Sequence, residues 1–262
     1  MSEKSVVQMN LLERYLLRKG FRRRVQTHLR RYARKLLKDA FADQKKILPP
    51  NKANVIFDLG ANEGAITQIY RRLYPAARIY CFEPFPGNYS KLAASFSGDS
   101  HIQCYEMAIS DRTGNMCLQV SQGSESHSLY EPSSDYIERF PQAKTVARIE
   151  VETITLHDFC QQHGIEKIDI LKMDVEGAEL AVLRGAATLL NRGAISLIYT
   201  EFFVIPNFPG HPLLHDIAQY LYDFGYSIFN IYTKDFRNHQ LRIGDAIFIS
   251  NEVYESLRES WE

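Results

Sequence analysis

Ten consecutive residues constrain this chain more than any others: Val55-Ile56-Phe57-Asp58-Leu59-Gly60-Ala61-Asn62-Glu63-Gly64. The short apolar run at 55–57 reads as a buried strand, and Gly60 and Gly64 mark a tight turn. Ile66, Ile69, Tyr70 and Leu73 then recur at helical spacing. Strand, glycine turn and helix make the first half of a nucleotide-binding βαβ unit. Gly60 is expected to let the backbone approach a ligand that a Cβ would hold away. The carboxylates Asp58 and Glu63 discriminate among ligands. A pyrophosphate at a helix N-terminus needs bare N–H groups and positive potential, which nearby carboxylates oppose. A ligand carrying an ammonium group and a sulfonium centre is attracted instead, and S-adenosylmethionine fits that description. The expected cofactor turn is therefore Gly60, Ala61, Asn62, Glu63 and Gly64, with Asp58 leading into it. A glycine turn without a ligand is the competing reading, because such patterns are common in α/β folds.

A second strand is expected over 78–82, closing on Glu83-Pro84. Glu83 lies 23 residues beyond Gly60, where an acid at a strand end accepts hydrogen bonds from both ribose hydroxyls. A helix over 86–96 and a strand over 102–107 follow. Ala108-Ile109-Ser110-Asp111 closes that strand, and its Ala108 and Ser110 edge is expected to line an adenine pocket. Residues 115–153 read as an insertion, with β-prone runs at 116–120 and 146–154 flanking a polar stretch that holds Ser124, Ser126, His127 and Ser128. Polar loops on rigid scaffolds often carry substrate contacts, although a lone loop histidine is more often merely exposed.

The second informative run is Lys172-Met173-Asp174-Val175-Glu176-Gly177-Ala178-Glu179. It places three acids after a strand expected over 168–173, at the edge where parallel sheets bind ligands. Asp174 is expected to face the methyl end of the cofactor. Glu176 and Glu179 are also explained by the helix dipole alone. A strand over 195–199 ends at Thr200-Glu201. His211 is expected to cap a helix over 213–221 that has Pro212 at its first position. His211 and His215 do not make a zinc pair, since no third ligand accompanies them. Runs at 226–231 and 243–249 are expected to close the sheet as an antiparallel pair around a polar turn over 233–240.

The net charge of zero hides a division. Residues 1–46 carry 14 Lys or Arg against 4 Asp or Glu, and the remainder carries 17 against 27. Phe21, Val25, Leu29, Tyr32, Leu36, Ala40 and Phe41 form a helical stripe among the arginines. The expected organisation is a basic amphipathic helical extension and linker over 1–50, ending at Pro49-Pro50, and a catalytic domain over 51–262. The stripe either packs on that domain or meets an anionic membrane surface or protein partner; nucleic acid is the least supported partner. No apolar run approaches the roughly 20 residues needed to cross a bilayer, and no signal core is visible. Cys81, Cys104, Cys117 and Cys160 suit neither a zinc site nor a small disulfide scaffold. A reduced, cytoplasmic protein is expected, with the basic helix as its route to any membrane periphery.

Taken in order, the motifs resemble the FkbM-type family of S-adenosylmethionine-dependent methyltransferases. The matching pieces are the run Phe57 to Gly64, Phe82-Glu83-Pro84, Ala108-Ile109-Ser110-Asp111, Val151-Glu152-Thr153-Ile154-Thr155-Leu156, and Ile170 through Glu179, with Glu201 downstream. The resemblance covers roughly residues 54–205 and extends more loosely to 249. It implies an α/β, Rossmann-like, seven-stranded class I methyltransferase sheet, mostly parallel with the last strand antiparallel. It also implies O-methylation of a hydroxyl on a sugar, glycan or secondary metabolite. The alternative is a cofactor-binding or inactive module that docks through the basic helix. Joint retention of Asp58, Glu83 and Asp174 favours the enzyme. A nucleic-acid methyltransferase is disfavoured by the acidic body and by the lack of an Asn/Asp-Pro-Pro-aromatic tetrapeptide after the fourth strand. Deprotonating a hydroxyl calls for a base, a metal or both. The candidates are Asp174, then His211, then His127, with Glu201 able to share a site with Asp174. No clear metal motif accompanies them.

Overall fold

In the computed structural model, which describes residues 39–123, 127–206 and 209–259, the run at 55–59 forms an inner strand of a seven-stranded sheet. The first elements are α1 (Ala40–Ile47), β1 (Val55–Leu59), α2 (Ala65–Leu73), β2 (Arg78–Phe82), α3 (Pro86–Phe96), β3 (Ile102–Tyr105), β4 (Ala108–Ser110) and β5 (Gly114–Ser121). After these come α4 (Ser134–Arg139), β6 (Thr145–Thr155), α5 (Leu156–Gln162), β7 (Ile168–Met173), α6 (Glu179–Gly185) and α7 (Ala187–Asn191). The chain ends with β8 (Ile195–Phe203), α8 (Leu214–Asp223), β9 (Tyr226–Arg237), β10 (Gln240–Ser250) and α9 (Asn251–Glu259).

The strand order is β3-β2-β1-β7-β8-β10-β9. Strands β3, β2, β1, β7 and β8 run parallel, and β10 is antiparallel to both β8 and β9. This is the mostly parallel class I sheet with an antiparallel final strand that the motifs imply. The chain moves outward from β1 to β3 and then returns to β7. The order therefore reverses beside β1, and the crevice beyond the strand ends at that switch point is where such sheets bind ligands.

Both faces of the sheet are covered. Phe57, Leu59, Phe82, Leu171 and Met173 point into one apolar layer, while Ile56, Ile79, Ile170, Leu197 and Ile247 point into the other. Each such side chain contributes about 1.5–3 kcal/mol on burial. On the first face Phe159 packs edge-on against Phe82, with centroids 4.7 Å apart. On the second, Tyr70 is fully buried and donates to Gln44 Oε1 at 3.0 Å.

Four sequence expectations are corrected here. Residues 40–48 belong with the folded domain, which runs from Ala40, and not with a linker ending at 50. Ala40, Ile47 and Leu48 are buried, and Asp43 accepts from Asn230 at 3.0 Å and from Tyr232 at 2.8 Å. Pro49 begins a turn closed by the Lys52 amide. Second, Ala108–Ser110 does not end the third strand. It pairs parallel with β6, in a separate three-stranded sheet with β5. Third, the turn expected over 233–240 shrinks to Asn238-His239, both at positive φ, a two-residue hairpin connection. Fourth, α8 begins at Leu214 with Leu213 as its N-cap, so Pro212 precedes the helix. The basic helix expected before residue 39, with its membrane or partner role, lies outside the described residues. Among the described residues no helix is long and apolar enough to cross a membrane.

Candidate active site

A cavity of about 600 Å³ opens at the C-terminal ends of β1, β2 and β7. Its floor is the turn after β1. The amides of Gly60 and Ala61 both donate to the Phe82 carbonyl at 3.0 Å, which ties the turn to β2. A Cβ on Gly60 would stand 1.9 Å from the Asp174 carbonyl oxygen, and its φ is +69°. Glycine is thus required where the turn meets the end of β7, and Gly60 also lines the cavity. Gly64 is required for a similar reason, because its Cβ would strike Phe96 of α3.

Beneath the turn lies a buried ion pair. Asp58 and Lys172 face each other in register on β1 and β7, and Asp58 Oδ1 lies 2.9 Å from Lys172 Nζ. Asp58 Oδ2 accepts from Thr67 of α2 at 2.7 Å. Lys172 Nζ also donates to the carbonyls of Leu59 (3.1 Å) and Gly60 (2.8 Å). Burial opposes the lysine's charge, but Asp58 and Asp174 outweigh it and raise its pKa. Asp58 is fully buried and does not line the cavity. It acts through Lys172 on the shape of the turn, which corrects the expectation of a direct cofactor contact.

Glu83 is fixed by two main-chain donors, Asn62 N–H to Oε2 and Phe85 N–H to Oε1, both at 2.9 Å. Burial raises its pKa, against the lowering effect of those amides. Glu83 lines the cavity, each carboxylate oxygen has a second lone pair beyond its amide bond, and a vicinal diol is the group that two fixed carboxylate oxygens match. Beyond it the walls become apolar, formed by Pro84, Met107, Ala108, Ile109, Leu118 and Leu129. Glu63 stands at the rim, paired with Lys91 at 2.7 Å.

The opposite end is acidic. Asp174, Glu176 and Glu201 bring one oxygen each to within 4.8 Å of one another. Lys234 enters from β9, with Nζ 2.9 Å from Glu201, 2.9 Å from Asp245 and 3.7 Å from Asp174. Glu201 and Asp245 are register partners on β8 and β10, and Tyr199 donates to Asp245 at 2.7 Å. Burial and the neighbouring Asp174 push Glu201 up to about 8, with Lys234 opposing them. Burial and Glu201 push Glu176 upward as well. Glu176 holds a left-handed backbone (φ 51°), and its carbonyl accepts from Ser128 Oγ at 2.6 Å. That bond fastens the insertion to the acid-bearing turn. The three carboxylates have a spacing a divalent ion could use, but Lys234 already supplies positive charge among them.

The cavity thus gathers Gly60, Ala61, Asn62, Glu63, Glu83, Ala108, Asp174, His127 and Glu201 from the residues singled out in the sequence. It leaves out Asp58, Gly64, Ser110 and His211. Ser110 is fully buried beneath Gly185 of α6, whose Cβ would meet its carbonyl at 2.1 Å. His211 packs edge-on against Phe203, and burial lowers its pKa to about 4, which removes it from the base candidates. Sequence reasoning missed Lys172 and Lys234. The first becomes visible only with the β1–β7 register, and the second was assigned to a turn.

Residues 58–228 match the methyltransferase FkbM domain. The 2-O-methyltransferase NoeI of Sinorhizobium fredii is 32% identical over 155 residues, covering 56% of this chain and 63% of that protein. Methyltransferase sdnD of Sordaria araneosa is 33% identical over 167 residues, with 53% and 61% covered. The hexuronic acid methyltransferase AglP of Haloferax volcanii is 26% identical over 140 residues, with 52% of each covered. The match therefore spans between 52% and 63% of the length of these relatives. Among solved structures, the methyltransferase FkbM of Methylobacillus flagellatus aligns with a TM-score of 0.48 at 13% identity, over 75% of this chain and 43% of that one. The family match takes in the turn after β1, Glu83, Asp174 and Glu201, and the chain belongs to the methyltransferase FkbM domain family.

Proposed function

We propose that this protein is an S-adenosylmethionine-dependent O-methyltransferase acting on a hydroxyl of a sugar, glycan or secondary metabolite. The observation that carries the reading is one continuous cavity with Glu83 fixed at one end and Asp174, Glu201 and Lys234 at the other. Relatives named as a 2-O-methyltransferase and a hexuronic acid methyltransferase support a sugar-like acceptor. The residues fit the cofactor. Glu83 presents two oriented oxygens for a ribose diol, the apolar wall suits a purine, and the carboxylates attract a cationic sulfonium.

When bound, S-adenosylmethionine supplies a methyl group already activated by its sulfonium. The chain has to position the acceptor and take up its proton. Positioning contributes about 7–11 kcal/mol to such reactions, and a base adds about 10²–10⁴-fold. Glu201 is the better-matched base, since a carboxyl near 8 lies close to the working pH. Asp174 lines the same end and orients the hydroxyl. Lys234 holds these carboxylates and Asp245 together against their mutual repulsion.

The test is incubation with labelled S-adenosylmethionine and a glycan or metabolite pool, followed by identification of the labelled product. Label on a hydroxyl oxygen, with Glu201→Gln at least 10²-fold slower, is the expected result. Transfer to nitrogen or carbon, or undiminished turnover in Glu201→Gln, would overturn the assignment.

A further inference from the structure

The pairing of the main sheet sets four residues in one transverse row: Lys172, Asp58, Cys81 and Cys104. Lys172 and Asp58 are register partners on β7 and β1, Asp58 and Cys81 on β1 and β2, and Cys81 and Cys104 on β2 and β3. Both cysteines enter the apolar layer that holds Ile56, Ile79 and Ile102, so their side chains share one face. Both are free thiols. Cys81 is fully buried, while Cys104 lies on the edge strand β3 and is only partly covered.

Neighbouring strands lie about 4.8 Å apart, within the roughly 4.4–6.8 Å that a disulfide spans between Cα atoms. The backbone thus already has the spacing a bridge needs. Each thiol also feels the other: Cys104 and burial push Cys81 up, and Cys81 draws Cys104 down against burial. The thiolate is the reactive form, and it is favoured at Cys104, the member nearer to solvent.

Cys81 adjoins the brace beneath the turn. Its Sγ lies 3.4 Å from Thr67 Oγ1, the hydroxyl that donates to Asp58 Oδ2 at 2.7 Å. The next residues of the same strand end are Phe82, whose carbonyl holds the Gly60 and Ala61 amides, and Glu83. A bond that draws Cys81 towards β3 therefore acts in two places. It shifts the sulfur that flanks Thr67, and it moves the strand end that fixes the turn and carries Glu83.

We propose that Cys81 and Cys104 are a site of reversible oxidation by hydroperoxides, whose disulfide weakens cofactor binding at the β1–β2 side of the cavity. The proposal rests on the S-adenosylmethionine reading above. The Cys104 thiolate attacks a peroxide oxygen, the O–O bond breaks, and a sulfenic acid forms as hydroxide leaves. The Cys81 sulfur then attacks the sulfenic sulfur, and a second hydroxide leaves. The two hydroxides take up the two thiol protons as water. One S–S bond has formed, two thiols have been oxidised by two electrons, and one peroxide has been reduced.

The test uses the full chain, reduced, treated with hydrogen peroxide, and treated and then reduced again with dithiothreitol. Mass spectrometry of non-reduced tryptic digests should show peptides 79–91 and 92–112, which hold one cysteine each, joined after peroxide. Calorimetry should find S-adenosylhomocysteine bound at least tenfold more weakly by the joined form, with affinity regained on reduction. Cys104→Ser should match the reduced wild type before and after peroxide. Should that variant fold poorly, peptide mapping and the reversal by dithiothreitol decide the question on wild type alone. Cys81 and Cys104 left free by peroxide, a disulfide with undiminished affinity, or a Cys104→Ser protein that loses affinity as wild type does would overturn the proposal while leaving the cofactor reading intact. No binding of S-adenosylhomocysteine by the reduced wild type would overturn both.

Discussion

The ion pair under the β1 turn offers a test in which structure sets the magnitude. Asp58 and Lys172 are 0% and 4% exposed at their side chains and 2.9 Å apart, so neither charge has water to fall back on. Replacing Asp58 with Asn keeps an oxygen for the Thr67 hydroxyl but leaves the ammonium without its contacting carboxylate, with only two carbonyls and the field of Asp174 to hold it. Breaking a buried pair in this way costs about 3–5 kcal/mol. In a domain of this size that lowers Tm by about 6–20 °C, at roughly 2–4 °C per kcal/mol. Lys172→Met should cost a similar amount, and should also weaken S-adenosylhomocysteine binding, because the Leu59 and Gly60 carbonyls lose their donor. The double variant Asp58→Asn/Lys172→Met removes both charges together. Its loss should be clearly smaller than the sum of the two single losses, since contacting charges couple by about 0.5–3 kcal/mol or more. Urea denaturation of the four proteins, with calorimetry for ligand affinity, makes the measurement. Additive losses, or single variants within about 1 kcal/mol of wild type, would show that the pair does not brace the turn.

Three further outcomes are expected. Glu83→Gln should bind S-adenosylhomocysteine about 10- to 100-fold more weakly in calorimetry, since bonds to a charged group contribute about 1.5–3 kcal/mol each; undiminished affinity would remove Glu83 from the site. Burial pushes Glu179 and Glu201 up to about 7 and about 8, well above an unfolded glutamate, so the folded state should hold more protons and stability should fall as pH rises towards 8. His211, lowered to about 4, acts in the opposite direction below about pH 6.5, so the window for Tm measurements is pH 6.5–8, where Glu179→Gln should flatten the slope. Turnover should decline as pH drops through about 8 as the acid cluster takes up its proton, and Glu201→Gln should abolish that limb of the kcat profile; an unchanged limb points to another base.

The legible parts of this molecule share one property: their chemistry lies within a few consecutive residues or at a fixed spacing along the chain. The strand-turn-helix at 55–64, the acid at Glu83 and the run through Asp174 were readable because a parallel sheet brings successive strand ends to one edge whatever the loops do. Contacts that depend on register were not readable. Asp58 looked like a ligand contact because its partner, 114 positions later, appears only when β1 pairs with β7. A second reason for glycine at position 60 was hidden, because the Asp174 carbonyl that excludes its Cβ arrives from the end of a different strand. His127 was a base candidate because a sequence does not show that its Nδ1 already accepts from the Ser121 amide at 3.1 Å.

Lys234 shows where local reasoning stops most sharply. The polar composition of 233–240 suggested a turn, yet Tyr232, Lys234 and Phe236 alternate with Thr233 and Asp235, a period-two pattern that a continued strand explains better. Asn238, tolerant of positive φ, marks the real reversal. Extending the strand to Arg237 carries Lys234 to the acidic end of the cavity, and six positions beyond the 58–228 family match. Without it, Glu201 and Asp245 would lose the ammonium 2.9 Å from each of them, leaving Lys172 beside Asp174. This arrangement requires β10 to insert antiparallel between β8 and β9, which sets Asp245 opposite Glu201 and brings the lysine within reach of both. The antiparallel end of the sheet therefore contributes to the wall of the cavity as well as forming a closing edge. On the reading proposed above, its lysine sets how much negative charge an acceptor would meet there.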